Sequence, residues 1–279
     1  MWITKNDIGL TVALSDRRIK MSMRFGVWTG FRNIGTVIDA GYDYMEIRLD
    51  DLSQKSDEDF AAIVEAFSSS AIKAECVNCF FPGGLRLTGP DVDFDALREY
   101  SEKAINRAAA LGSKLAVIGS GSARRIPDGF DREKAFDQFV KLLGMVGDLA
   151  AEQGITLVIE PLNYDETNFI NTIPEAIELC KKVNRPNVKV VADLFHMGRV
   201  EDPAELIISE KEYIGHIHLA RVIDRDMPYE EDVPQLKEWA KIIKESGYSA
   251  GKITLEGLFN PNLKECLERV RPLLDCFND

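Results

Sequence analysis

The chain has 279 residues, 45% hydrophobic and 29% charged, with a formal net charge of −12. That is enough apolar material for a sizeable core, and no run of about 18 apolar residues offers a membrane helix. The acidity argues against a nucleic-acid partner, because phosphate binding wants a basic face.

The first 22 residues read as an extension outside the folded part, and residues 23–279 as a single domain. The apolar stretch Ile8–Leu14 is short and bracketed by Asp7 and Asp16, which is not a signal-peptide shape. From Arg24 onward short β-rich runs alternate with longer stretches of helical period. Strands are predicted over Arg24–Trp28, Tyr44–Ile47, Lys73–Asn78, Lys114–Ile118, Thr156–Ile159, Val188–Ala192, Ile214–Leu219 and Lys252–Leu255. The helices between them are predicted over Asn33–Ala40, Asp57–Ser69, Asp95–Leu111, Arg132–Glu152, Pro174–Lys182, Pro203–Ile208, Val233–Glu245 and Leu263–Leu274. Eight βα units match an α/β fold of the (β/α)8 TIM-barrel type, whose usual length is about 250 residues. An open doubly wound sheet is the alternative. It would place a glycine-rich phosphate turn after the first strand, and Trp28-Thr-Gly-Phe-Arg32 lacks that fingerprint.

In such a barrel the chemistry is built where strands end. Strand five runs into Glu160, strand six into Asp193, and strand eight into Glu256, while strand seven carries His216 and His218. A carboxylate closing a buried strand is costly without a partner. The two histidines are two residues apart and share a strand face. His218 is the nearer to the strand end, which leaves His216 one layer lower. Glu160, Asp193, His218 and Glu256 therefore converge from four consecutive strands. Like charges so placed repel unless a cation joins them. Three oxygen donors, one nitrogen and no thiolate suit a single divalent ion. Mn²⁺ is favoured, with Mg²⁺, Co²⁺ and Zn²⁺ also compatible. Trp28, Glu46 and Asn78 end strands one to three and are expected to wall the pocket or contact hydroxyls. The loop Gly119-Ser-Gly-Ser-Ala-Arg-Arg125 offers backbone N–H groups to an anion. The five cysteines are odd in number and scattered, which argues for a reducing cytoplasm and against a disulfide framework. The CxxC of Cys76 and Cys79 closes a strand instead of opening a helix, so it is a weak redox or zinc signal.

These stretches resemble the xylose isomerase-like TIM barrels of the sugar isomerase/epimerase superfamily, nearest to the ketose 3-epimerases of tagatose/psicose type. The segments that carry the resemblance are Glu160-Pro-Leu-Asn-Tyr-Asp-Glu166 with Asn171-Thr172, Asp193-Leu-Phe-His-Met197, Gly215-His-Ile-His-Leu-Ala220 and Thr254-Leu-Glu256. The resemblance implies that Glu160, Asp193, His218 and Glu256 hold the metal. It also implies that Glu160 and Glu256 move a proton next to a carbonyl through an enediolate, and that Glu166, His196 and an arginine after strand seven hold substrate oxygens. The family spacing for that arginine falls on Asp224. Arg225 is one residue late, and Arg221 competes. Tyr164 stands where the epimerases carry a basic residue.

The activity this implies is a divalent-metal-dependent sugar epimerase or aldose–ketose isomerase, with a small sugar as partner and a homodimer or homotetramer as the assembly. The alternative on the same scaffold is a dehydratase or lyase acting on an inosose, dehydroshikimate or a keto-sugar. A non-enzymatic sugar-binding barrel would not need the cage. An apurinic endonuclease would need a trinuclear zinc site, more than three histidines and a basic surface.

Overall fold

The computed structural model describes residues 22–279. Its eight strands are β1 (Arg24–Trp28), β2 (Tyr44–Arg48), β3 (Ala74–Asn78), β4 (Leu115–Ile118), β5 (Thr156–Ile159), β6 (Val188–Asp193), β7 (Ile214–Leu219) and β8 (Lys252–Leu255). All pair in parallel in sequence order, and β8 returns to pair with β1. That closure makes the molecule a (β/α)8 barrel and rules out the open sheet. The proposed N-terminal extension lies outside the described residues except for Ser22, whose hydroxyl donates to Asn278 Oδ1 (3.1 Å).

The longer helices start where a polar side chain can take the first free backbone N–H groups. Ser56, Asp93, Asp131 and Thr172 each accept such a bond, at the heads of Asp57–Ser68, Phe94–Ala110, Arg132–Glu152 and Ile173–Val183. Three short helices escape the periodic pattern: Leu49–Gln54, Gly121–Arg124 and Leu194–Arg199. Each follows a strand almost directly, and one turn is too short to show a 3.6-residue period. The last predicted helix also breaks. It runs over Leu263–Val270 and passes into a 3₁₀ segment, Arg271–Phe277, because Pro272 brings no backbone N–H to continue the ladder. Among the described residues no helix is long and apolar enough to cross a membrane.

The core has two shells. The larger lies between barrel and helices. The smaller fills the lumen with Tyr44, Cys76, Leu115, Val117, Val158 and Val191. Gly26 on β1 faces the Tyr44 ring, and a Cβ there would fall inside it, so only glycine lets this ring occupy the lumen. At the floor, the N-terminal end of the strands, Arg24 and Lys252 bracket Glu75. Polar residues gather again at the opposite end, where the strands stop.

Candidate active site

Four strands deliver one polar side chain each to the mouth. Glu160 follows β5. Its backbone N–H donates to Ile118, and its carbonyl accepts from Arg124 Nη2 (2.8 Å). Asp193 ends β6 and divides its carboxylate. Oδ1 accepts from the His196 backbone N–H (2.9 Å) and caps the helix Leu194–Arg199, while Oδ2 is buried without a hydrogen-bond partner. His218 lies in β7 and Glu256 follows β8. Around His218 Nδ1 stand Glu160 Oε1 at 2.8 Å, Glu256 Oε2 at 2.9 Å and Asp193 Oδ2 at 3.7 Å. The four residues bring their ligand atoms within 4.8 Å of one another.

The electrostatics of this group are those of a site short of positive charge. Burial, then the Glu256 and Asp193 carboxylates, push the Glu160 carboxyl up to about 8 against the pull of His218. Burial also opposes the charge on Asp193, but the hydrogen bond and charge of His218 and the Arg225 guanidinium outweigh it and hold that carboxyl well below its ordinary range. Burial works against the His218 imidazolium too, yet Glu46 and Glu256 raise its pKa well above the usual histidine value. The donor set fits a divalent cation: three carboxylates and one imidazole nitrogen converge, and Asp193 Oδ2 and Glu256 Oε2 are buried acceptors without donors.

A cavity of about 400 Å³ opens above the group. Glu160, Glu166, Arg225, Glu256 and Trp28 line it, whereas Asp193 and His218 lie beneath and do not. Arg225 reaches the cavity although it is one residue late, because its backbone takes a left-handed φ of 59°. Its Nη1 lies 2.9 Å from Glu166 Oε1, its Nη2 lies 3.6 Å from Glu256 Oε2, and its guanidinium sits over Phe195. Arg221 instead pairs with Asp224 and Asp232 and covers Tyr229. His196 is buried. Both the backbone N–H and the side-chain amide of Asn163 point at its Nδ1 (3.2 and 3.0 Å). A backbone N–H can only donate, so Nδ1 accepts and the ring carries its proton on Nε2, which lies 3.9 Å from Glu166 Oε1 with no hydrogen-bond partner. Burial lowers the His196 pKa, which keeps the ring neutral.

Trp28 and Asn78 act in series. The indole Nε1–H donates to Asn78 Oδ1 (2.7 Å), and Asn78 Nδ2 donates to Glu256 Oε1 (3.0 Å). Asn78 is 1% exposed and stands behind Glu256, away from the cavity lining. Glu46 is fully buried one layer down, where its Oε2 lies 3.0 Å from His216 Nε2. It does not line the pocket, contrary to the expectation for the end of strand two.

Sequence reasoning missed Arg124. It is fully buried, and burial lowers its pKa to about 10. Its guanidinium donates to the carbonyls of Glu160 and Ile170, so it pins the backbone that presents Glu160. The glycine-rich loop before it supplies room. A Cβ on Gly119 would collide with Glu160 Oε2. The only advance signal for Arg124 was two adjacent arginines in a short loop. The CxxC offers no reactive thiol: burial raises both Cys76 and Cys79, and Glu46 and Glu256 respectively add to it.

Comparison with known proteins bears on the family and the fold. The family model for the xylose isomerase-like TIM barrel matches residues 35–272. The 2-oxo-tetronate isomerase of Cupriavidus necator is 31% identical over 153 residues, covering 54% of this chain and 55% of the relative, so the chain spans about half of that relative's length. The D-psicose 3-epimerase of Agrobacterium fabrum is 26% identical over 204 residues, covering 71% of this chain and 68% of the relative. A crystal structure of D-psicose 3-epimerase in the presence of D-fructose superimposes with a TM-score of 0.78 at 21% identity, over 90% of this chain and 97% of that one, a likeness of fold. With the closed eight-strand barrel and a family match over most of its length, the chain belongs to the xylose isomerase-like TIM barrels.

Proposed function

We propose that this chain is a divalent-metal-dependent sugar isomerase or epimerase that moves a proton next to a carbonyl. One observation carries the reading: of the four converging residues, the two that reach the cavity are Glu160 and Glu256, and they approach His218 Nδ1 from different strands at 2.8 and 2.9 Å. Glu160, Asp193, His218 and Glu256 would hold the cation, which supplies Lewis acidity for a carbonyl oxygen and its neighbouring hydroxyl.

The remaining work belongs to the protein. A carboxyl pushed up to about 8 by its surroundings can hold or accept a proton near neutral pH, as a general acid–base group must. Glu160 is that group, and Glu256 is its counterpart across the substrate. Asn78 fixes Oε1 of Glu256 and leaves Oε2 facing His218 Nδ1 and Arg225. His196 does not line the cavity, and its neutral Nε2–H stands behind the wall, 3.9 Å from Glu166 Oε1. The Glu166–Arg225 pair supplies an acceptor and a donor at the wall, the combination a hydroxyl group needs. The relatives act on ketoses and on 2-oxo-tetronate, so the substrate class is a short polyhydroxylated carbonyl compound.

The test is solvent exchange. Mn²⁺-loaded protein is incubated in deuterium oxide with a panel of ketoses and 2-oxo-hydroxy acids. Deuterium should enter at a carbon beside the carbonyl, together with an epimer or a shifted carbonyl. Loss of water as the only reaction would replace this reading with the dehydratase one. Absence of exchange across the panel in cation-loaded protein would overturn the reading.

A further inference from the structure

Beneath the four converging residues the lumen holds a second polar group, in which His216 is expected from the sequence and Glu46 is not. Glu46, His216 and Thr254 are all fully buried, within a lumen otherwise filled by Tyr44, Cys76, leucine and valine side chains. A carboxylate in such surroundings is costly unless its oxygens are met by donors. Glu46 Oε2 accepts from Thr254 Oγ1 (2.8 Å) and lies 3.0 Å from His216 Nε2. Thr254 has one hydroxyl proton. Since it donates that proton to Glu46, it accepts from the Tyr44 phenol at 3.0 Å. Glu46 Oε1 lies 3.1 Å from His218 Nε2, and these two buried atoms, otherwise without a hydrogen-bond partner, face each other. The Thr254 proton and the Nε2 atoms of His216 and His218 thus face Glu46, and the Tyr44 proton faces Thr254. Two irregularities in the barrel serve the arrangement. The β2–β3 register shifts between Met45 and Glu46, and the β6–β7 register shifts between Val190 and Val191, the latter paired with His216. Such shifts re-aim the side chains at the break.

We propose that Glu46 is a positioning residue that holds the His218 proton on Nε2 and so keeps Nδ1 free as a ligand atom. This rests on the metal site of the proposed function. His218 Nδ1 faces two carboxylate oxygens, from Glu160 and Glu256, at 2.8 and 2.9 Å. Those oxygens can hold a proton on Nδ1, which must leave before a cation binds. Glu46 is the acceptor on the far side of the ring, and it makes Nε2 the nitrogen that keeps its proton. A carboxylate behind a ligating imidazole sets which ring nitrogen binds, and its loss typically costs about 10- to 100-fold in metal affinity. Thr254 and His216 hold Glu46 in turn. Glu46, Cys76 and His216 also bring their ligand atoms within 4.8 Å of one another, but a cation there would have to displace the hydrogen bonds just described. One cation per chain is expected.

The experiment uses full-length wild type, Glu46→Gln and Thr254→Val, stripped of metal and titrated with Mn²⁺, followed by ¹⁵N-histidine NMR of Zn²⁺-loaded samples. The chain has three histidines, so the ring signals separate by substitution of each. Wild type should bind one ion and show His218 with a protonated Nε2 and a metal-bound Nδ1. Glu46→Gln should bind about 10- to 100-fold more weakly, and Thr254→Val should fall between the two. A folded Glu46→Gln variant that binds Mn²⁺ within twofold of wild type would overturn the inference, as would an unprotonated Nε2 on His218 in the wild type. If Glu46→Gln does not fold, the wild-type spectrum and Thr254→Val decide. Wild type that binds no divalent cation would overturn the metal reading as well, which separates the two failures.

Discussion

The two ends of the barrel treat a carboxylate in opposite ways. At the floor, Glu75 meets Arg24 Nη2 at 2.6 Å and Lys252 Nζ at 2.6 Å. Burial alone would raise its pKa, but these two cations outweigh it and hold the carboxyl below its ordinary value. At the mouth, Glu160 is buried among Glu256 and Asp193, and the same desolvation carries it up to about 8. The groups are chemically equal. The difference is deeper burial at the mouth and the balance of charge there: two cations serve one carboxylate at the floor, whereas three carboxylates share His218 and the more distant Arg225 at the mouth. A carboxylate satisfied by the protein stabilises the fold, and one left unsatisfied is available to a ligand or a proton.

The comparison breaks first at Asp193. Asp193→Ala removes one ligand charge and the cap of the helix Leu194–Arg199, while Asp193→Asn keeps a capping oxygen and removes only the charge. Elemental analysis should find both proteins without bound cation, and the asparagine form should keep near-native thermal stability. Unchanged metal content in Asp193→Asn would return this residue to a purely structural role.

Next comes Glu256, which divides its oxygens between Asn78 and the cavity. Glu256→Gln keeps size and one oxygen donor but loses the basic charge. Turnover should fall by about 10²-fold or more, the scale of a general acid–base group, with some cation retained. Full metal with near-normal proton exchange into a ketose would show a ligand without an acid–base role, and the paired-glutamate mechanism would have to go.

The smallest effect is expected at the floor. Glu75→Gln should cost about 1 kcal/mol at neutral pH, a figure discounted for solvent screening because the ion pairs are partly exposed. The sign in acid follows from the lowered pKa. The contribution of Glu75 is present above the ordinary value of 4.5 and is lost as pH falls through the folded-state value. Thermal melts of wild type and Glu75→Gln should therefore differ at pH 7 and converge only in acid, once the pH has fallen through the lowered folded-state value. Mn²⁺ affinity should not change. A shift in that affinity would show that floor and mouth are electrostatically coupled, and the contrast drawn above would fail.

The eight strands were legible because a buried parallel strand is a short apolar run bounded by breakers, and each one here is followed by a stretch of helical period. The group Glu160, Asp193, His218 and Glu256 was legible for a related reason. Consecutive parallel strands in a closed barrel put their ends side by side, so polar residues at four successive ends must meet. His216 was placed below His218 by the two-residue period of a strand. What local pattern could not supply was depth and what lies across the lumen. Glu46 and Asn78 end their strands much as Glu160 does, yet Asn78 turns behind Glu256 and Glu46 sinks beneath the site to meet His216 from 170 residues away. Arg225 rather than Arg221 reaches the cavity because of a left-handed backbone at one residue. Arg124 is drawn inward by carbonyls that only the folded loops bring together. Period and spacing fix which strand and which face a side chain occupies. Register shifts, loop conformation and the closure of the barrel fix what it touches, because those contacts join residues that are far apart in the chain.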